Sequence, residues 1–123
     1  MGPSDFVAEL RRLGHDVSEL GDGRISFPYL VPVGAHAGET VCIGLTVPTD
    51  FPLTCPGGPV VSPRLLPLNP DGTIGHPFGA VHASPEFGDA WEYWSRPYPG
   101  WHASSRTAAA YLAHIAHLFE SVP

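Results

Sequence analysis

Two stretches of the chain alternate between apolar and polar residues, as a half-buried β-strand does. They are residues 24–31 and 39–47, and a period of two places successive side chains on opposite faces of a sheet. Residues 16–20 precede the first stretch across a Gly-rich turn at residues 21–23, which is typical of a hairpin. Pro28 has no amide N–H, so it predicts a sheet edge or a bulge. The predicted core faces contain Ile25, Phe27, Tyr29 and Val31, and Val41, Ile43, Leu45 and Val47.

A helical period appears near both ends of the chain. Ser4 is the predicted N-cap of a helix that runs to about Leu13 and ends at Gly14, because glycine accommodates the positive φ of a helix terminus. Ser104 or Ser105 is the predicted N-cap of a C-terminal helix. The predicted apolar stripes are Phe6, Leu10 and Leu13 in the first helix and Ala108, Tyr111, Leu112, Ile115, Leu118, Phe119 and Val122 in the second.

Residues 48–63 are predicted to cross to a further strand in an extended path, because five prolines fix φ and remove amide donors there. The glycine pair at residues 57–58 permits a turn with positive φ, and the valines at residues 60–61 then form a short strand that returns to the sheet. Residues 64–99 are rich in proline, glycine and aromatic side chains, and we interpret them as an irregular functional loop region. Residues 1–123 therefore predict a single α+β domain with an N-terminal helix, an antiparallel β-meander, this irregular segment and a C-terminal helix.

Charge and composition exclude several classes of function. The formal net charge is −6, with only six lysine and arginine residues, whereas nucleic-acid binding depends on clustered basic side chains. No stretch reaches the roughly 20 apolar residues of a membrane span and the N-terminus has no signal sequence, so a cytoplasmic protein is expected. Cys42 and Cys55 lack metal-ligand spacing. A disulfide between them is the alternative to two free thiols, but nothing else in the sequence indicates an oxidising compartment, so free thiols are predicted. No metal or cofactor is predicted.

The order of these elements and several short motifs resemble the ubiquitin-conjugating (UBC) fold. Residues 47–63, VPTDFPLTCPGGPVVSP, look like that fold's strand followed by its Tyr-Pro-x-x-Pro-Pro crossing. Residues 75–78, Gly-His-Pro-Phe, look like its His-Pro-Asn signature with phenylalanine in place of asparagine. The later part of the chain is similar to the bacterial branch called prokaryotic UBC-like family E, at residues 91–97, Trp101 and residues 111–119.

This resemblance implies a role in a conjugation pathway, with a ubiquitin-like modifier and an activating-enzyme-like protein as partners. Conjugating enzymes carry the modifier as a thioester on a cysteine that closely follows the His-Pro-Asn motif, and the asparagine supports the oxyanion. No cysteine follows His76, so the usual thioester chemistry is not supported. Ser84 lies near where that cysteine would fall, and His82 or His76 is its candidate base, which would make the chain an oxyester carrier. Cys55 is a weaker candidate nucleophile, because no basic residue lies near it in sequence.

Both Ser84 and the tryptophans also have structural interpretations. Ser84 precedes a proline, where serine is an ordinary turn residue. Trp91, Trp94 and Trp101 are candidates for a partner-binding surface, since aromatic side chains often anchor interfaces. That surface would suit a catalytically inactive UBC variant that binds a ubiquitin-like protein or a partner enzyme noncovalently. Alternatively, the three rings pack the irregular segment onto the core.

The histidines suggest a third class of function. His114 and His117 are spaced i, i+3 on the C-terminal helix, which can place two imidazoles on one metal ion. With His76 and His82 they would serve a small metal-dependent hydrolase. No third ligand lies nearby in sequence, so a structural or surface role is favoured for the helical pair.

Overall fold

The computed structural model describes residues 2–65, 81–84, 86–94 and 98–121. His76 and the surrounding Gly-His-Pro-Phe motif lie outside these residues, as does Val122. In chain order the elements are α1 (Pro3–Arg12), β1 (Ser18–Gly21), β2 (Arg24–Leu30), β3 (Thr40–Thr46), β4 (Val60–Ser62), β5 (Val81–Ala83), β6 (Glu92–Trp94), a 3₁₀ helix (Trp101–Ala103) and α2 (Ala108–Ser121). Among the described residues, no helix has both the length and the apolar character that crossing a membrane requires.

The described strands form one antiparallel sheet of six strands, in the order β1-β2-β3-β4-β6-β5. This confirms the α+β class, the two terminal helices and the antiparallel meander. The interpretation of residues 64–99 as wholly irregular is wrong, since β5 and β6 form a hairpin there that extends the sheet beyond β4. Each of the two strands has only three residues, which is too short for an alternating pattern to be recognised.

The core lies on one face of this sheet, beneath both helices. Phe6 of α1 meets Tyr111 of α2 with ring centroids 6.2 Å apart, and Phe119 of α2 stacks on Tyr29 of β2 at 5.9 Å. Every residue predicted for the core faces of β2 and β3 is buried, so that prediction is confirmed. In α1 the predicted stripe holds for Phe6 and Leu10 but is wrong for Leu13, which is 51% exposed. The opposite face of the sheet carries no helix among the described residues.

The predicted Gly-rich turn joins β1 and β2, and because Gly21 pairs with Arg24 it has two residues. Asp22 and Gly23 both have positive φ, 55° and 79°, which is the conformation that matches the twist of paired strands. Beyond the turn, β1 pairs only with residues 24–26 of β2. The N–H of Val31 donates to the carbonyl of Glu39, which lies on the β3 side. Successive amide groups of a strand point to opposite sides, so those of the even-numbered residues of β2 point away from β3. Pro28 therefore lies at a sheet edge, as predicted.

The start of each helix differs from the prediction. Gly2 is the N-cap of α1 and Pro3 occupies the first turn without a side-chain cap, so Ser4 lies inside the helix. α2 begins after Thr107, whose Oγ1 accepts the N–H of Ala110 at 3.2 Å. Glu9 of α1 accepts the N–H of Ala108 at 2.9 Å. The prediction of a cap at Ser104 or Ser105 is therefore wrong, because a nearer threonine and a carboxylate from α1 satisfy these donors.

The end of α1 is as predicted. Gly14 has φ 94°, its N–H bonds to the carbonyl of Arg11, and the N–H of His15 bonds to the carbonyl of Leu10. These two bonds form a Schellman motif, which satisfies carbonyls that the helix leaves without partners.

The proline-rich crossing leads into β4, which returns to the sheet as predicted and pairs with β3. Gly57 does not adopt the positive φ that was expected of a turn there. The crossing is held to the helical side by two hydrogen bonds: Trp101 Nε1 donates to the carbonyl of Pro52 at 2.9 Å, and the Tyr111 hydroxyl donates to the carbonyl of Gly57. These bonds place residues 57–58 at the border between the core and the helix-free face.

Candidate functional site

A groove of about 420 Å³ runs over the helix-free face of the sheet. Its position follows from the strand register, since Gly44 pairs with Val60, Val60 with Tyr93, and Tyr93 with His82. Residues that pair directly across antiparallel strands point to the same face, so these four lie in a row across the sheet. The groove is lined by Gly44, Leu45, Thr46, Gly57, Gly58, Val60, Ala83, Ser84, Glu86, Phe87 and Tyr93.

One wall of the groove is the connection between β5 and β6, of which residues 86–91 fold back over the sheet. The carbonyl of Ser84 accepts the N–H groups of Phe87 at 3.1 Å and Gly88 at 2.9 Å. Arg24 of β2 donates from Nη1 to the carbonyl of Glu86 at 2.9 Å. The ring of Phe87 lies over Gly44, where a Cβ atom would come within 2.6 Å of it. Glycine at position 44 therefore allows this segment to approach the sheet closely.

Ser84 lies in the groove, but the structure does not join it to a base. The residue is 7% exposed, and its hydroxyl makes no hydrogen bond with any described residue. His82 instead packs against Tyr93, with ring centroids 6.5 Å apart. A serine becomes a useful nucleophile when a base within hydrogen-bond reach removes its proton. Within the described residues Ser84 has no such base, and His76 lies outside them.

Cys55 lies in the proline-rich crossing as a half-buried free thiol, and Cys42 is an exposed free thiol. Burial raises the pKa of Cys55 above its ordinary value, against a smaller lowering by a hydrogen bond from the backbone of Tyr98. The thiol, which is the poor nucleophile, therefore predominates at neutral pH. This environment favours a structural role for Cys55.

We expect Cys42 to be alkylated faster than Cys55 at neutral pH, because burial raises the pKa of Cys55 and hinders access of the reagent to its sulfur. Iodoacetamide labelling of Cys42→Ser and Cys55→Ser, followed by mass spectrometry, isolates each thiol. Equal rates in the two variants would show that Cys55 is more reactive than its surroundings imply.

Tyr111 connects the helical core to the groove through its hydrogen bond to the carbonyl of Gly57. Burial raises its pKa well above the ordinary value of 10.0, and the nearby Cys55 and Tyr93 raise it further through electrostatic repulsion. The phenol is therefore neutral and available as a hydrogen-bond donor at physiological pH. It holds the segment that forms one border of the groove.

In the Tyr111→Phe variant, the free energy of unfolding is expected to fall less steeply with rising pH in the alkaline range. Because burial raises the folded-state pKa of Tyr111, its contribution to stability is present below about pH 10 and falls as the pH rises further, by up to about 1.4 kcal/mol per pH unit. Urea unfolding from about pH 8 to about pH 11 measures this dependence. Tyr111→Phe should be less stable at pH 8 by about 1 kcal/mol, for the lost hydrogen bond, but should decline less steeply. Parallel curves would contradict this.

His114 and His117 do not face the same surroundings. The ring of His114 is buried and stacks on Tyr98, with centroids 5.0 Å apart and planes within 12°. The side chain of His117 is 79% exposed beside Glu120. Among the described residues, no three His, Cys, Asp or Glu side chains are arranged to hold a metal ion. His114 is therefore a core side chain and His117 a surface side chain.

The structure corrects the expected surface role of two of the three tryptophans. Trp94 is fully buried and Trp101 is 2% exposed, so neither side chain is available to a partner in this conformation. Trp94 packs against Phe119 at 5.0 Å, while Trp101 contacts Phe51 at 5.9 Å. The packing alternative therefore holds for both. Trp91 is half-buried, contacts Phe87 and lines a separate cavity beside the groove.

Glu92 is a residue that sequence reasoning missed. Its side chain is fully buried, and Oε1 accepts both the indole N–H of Trp94 and the N–H of Leu65, each at 2.9 Å. A buried carboxylate requires such donors to offset the loss of hydration. The only sequence signal is the placement of one acidic residue between aromatic residues, which is typical of exposed strands as well. Glu92 ties the chain after β4 to β6.

Comparisons with protein-family models, curated proteins and solved structures gave no match. The UBC resemblance therefore rests on the order of elements and on the motifs of this chain.

Proposed function

We propose that the protein is a UBC-like module that binds a ubiquitin-like modifier noncovalently, with the groove on the helix-free face as its binding site. The order of an N-terminal helix, an antiparallel meander, a proline-rich crossing and a C-terminal helix agrees with the UBC resemblance. In that family the modifier is attached through its carboxyl terminus, so its C-terminal tail is the segment expected to lie against this protein.

The observation that carries the proposal is the make-up of the groove. Gly44, Gly57 and Gly58 contribute no side chains, while Phe87 and Tyr93 add aromatic surface. A volume of about 420 Å³ lies in the range of sites that bind small ligands or short chain segments. Such a groove admits an extended tail but not a folded surface, and aromatic walls supply contact area for it.

The environments of the candidate nucleophiles favour noncovalent binding over group transfer. Cys55 is half-buried with a raised pKa, and among the described residues Ser84 has no base within hydrogen-bond distance. Acyl transfer to either side chain requires an activated nucleophile. Binding in the groove requires neither.

An oxyester carrier is the second candidate function, and the presence of Ser84 in the groove wall favours it. A modifier tail bound in the groove would pass close to this hydroxyl. This version requires the activating-enzyme-like partner, and it requires a base for Ser84 from outside the described residues.

Incubation with a ubiquitin-like modifier, its activating enzyme and ATP distinguishes these functions. The noncovalent module gives no adduct on gels but binds the modifier in calorimetry. An adduct that survives thiol reductant, yields to hydroxylamine and is absent from Ser84→Ala would support the oxyester carrier instead. A reductant-sensitive adduct lost in Cys55→Ser would contradict both versions. If neither an adduct nor a complex forms, the proposal that the protein binds a ubiquitin-like modifier is wrong.

A further inference from the structure

A second cavity, of about 450 Å³, opens beside the groove and differs from it in charge. It is lined by Arg64, Ala83, Ser84, Gly88, Asp89 and Trp91. Among the described residues, the groove wall contains a single charged residue, Glu86, whereas this cavity contains one cation and one anion. It therefore suits a different ligand from an uncharged stretch of chain.

The two charged residues of the cavity do not neutralise one another. Arg64 and Asp89 are both exposed, and neither makes a hydrogen bond or an ion pair with any described residue, including each other. Both residues line the same cavity, so an anionic group can pair with Arg64 and a cationic group with Asp89. A ligand that carries both charges satisfies both residues at once.

Trp91 provides the apolar wall of the cavity. Its ring is half-buried and packs against Phe87, with centroids 5.4 Å apart. The indole N–H groups of Trp94 and Trp101 are bonded to Glu92 and to Pro52, but that of Trp91 has no acceptor among the described residues. Trp91 thus adds aromatic surface to the cavity, and no other described residue engages its indole N–H.

We propose that this cavity binds a small zwitterion of the α-amino acid class. Arg64 pairs with the carboxylate, for which the planar guanidinium offers parallel donors. Asp89 accepts from the ammonium, and the side chain of the amino acid packs on Trp91. This site requires neither a modifier nor an activating enzyme, so it stands apart from the proposed function.

Nuclear magnetic resonance of the ¹⁵N-labelled full chain tests the proposal through its three indole N–H signals. The signal that disappears in Trp91→Phe identifies Trp91. Titration with L-leucine is expected to move the Trp91 signal and to leave those of Trp94 and Trp101 in place. N-acetyl-L-leucine and L-leucinamide, which each lack one charge, should bind at least about tenfold more weakly.

Matched variants test the two charged residues. Arg64→Gln and Asp89→Asn should each weaken L-leucine binding about tenfold or more. Arg12→Gln and Asp16→Asn remove the same charges at exposed positions of α1 and of the segment before β1, and they should leave binding unchanged. An immobile Trp91 signal, or equal binding of all three ligands, would overturn the proposal. Equal losses of L-leucine affinity in the target and control variants would indicate a general effect of charge, and that result would also overturn the proposal.

Discussion

Gly34→Ala is expected to destabilise the protein by about 3 kcal/mol or more. Gly34 lies in the turn between β2 and β3 with φ 87°, and a Cβ atom there would come within 2.1 Å of the backbone carbonyl oxygen of Phe119. Backbone cannot move aside as a flexible side chain does, so the C-terminal end of α2 would have to separate from the turn. Urea unfolding monitored by circular dichroism measures the loss.

Gly38→Ala is the matched control, because it lies in the same turn and shares the backbone conformation. Its φ is 90°, but a Cβ atom there meets nothing within 4 Å. Gly38→Ala should therefore lower the free energy of unfolding only by the cost of a positive φ in alanine, roughly 1 to 2 kcal/mol. Equal losses in the two variants would show that the approach of the turn to α2 contributes nothing.

Glu92→Ala is expected to cost about 3 to 5 kcal/mol. The substitution removes the acceptor of the Trp94 indole and the Leu65 amide, and it opens a cavity within the core. Glu92→Gln keeps an oxygen acceptor of the same reach, so it should lose less than half as much. The indole N–H resonance of Trp94 should shift in the alanine variant, which ties the effect to this contact.

An exposed carboxylate provides the comparison for Glu92. The side chain of Glu39 is 55% exposed and pairs with His36 at 2.9 Å, and such surface pairs contribute little. Glu39→Ala should therefore change stability by about 0.5 kcal/mol or less. If Glu92→Ala behaved in the same way, the carboxylate would not be holding residue 65 to β6.

How well each element could be predicted depended on the length of its pattern. β2 and β3 each have seven residues, so their alternation identified both strands and their buried faces. β5 and β6 have three residues each, and three residues do not define a period. The start of α2 depends on Glu9, which lies 99 residues before Ala108 in the chain. Local capping rules cannot include such a partner.

The candidate site was only partly accessible from sequence. Ser84 was identified through the resemblance, and the structure places it in the groove. The groove itself depends on the pairing of Gly44 with Val60 and of Val60 with Tyr93, which unites three distant segments. The burial of Trp101 likewise depends on a hydrogen bond to Pro52, 49 residues away. An aromatic residue alone favours a core or an interface equally.

Gly57→Leu tests the proposed binding of a ubiquitin-like modifier in the groove. Gly57 lines the groove, and a Cβ atom there meets nothing within 4 Å, so a side chain can start there without meeting the backbone, and we expect leucine to narrow the groove. Ala109→Leu adds the same side chain on the exposed side of α2, away from the groove. Calorimetric titration with the modifier should show at least about tenfold weaker binding for Gly57→Leu and unchanged binding for Ala109→Leu. Equal binding by the two variants, or no binding by the parent protein, would contradict the claim.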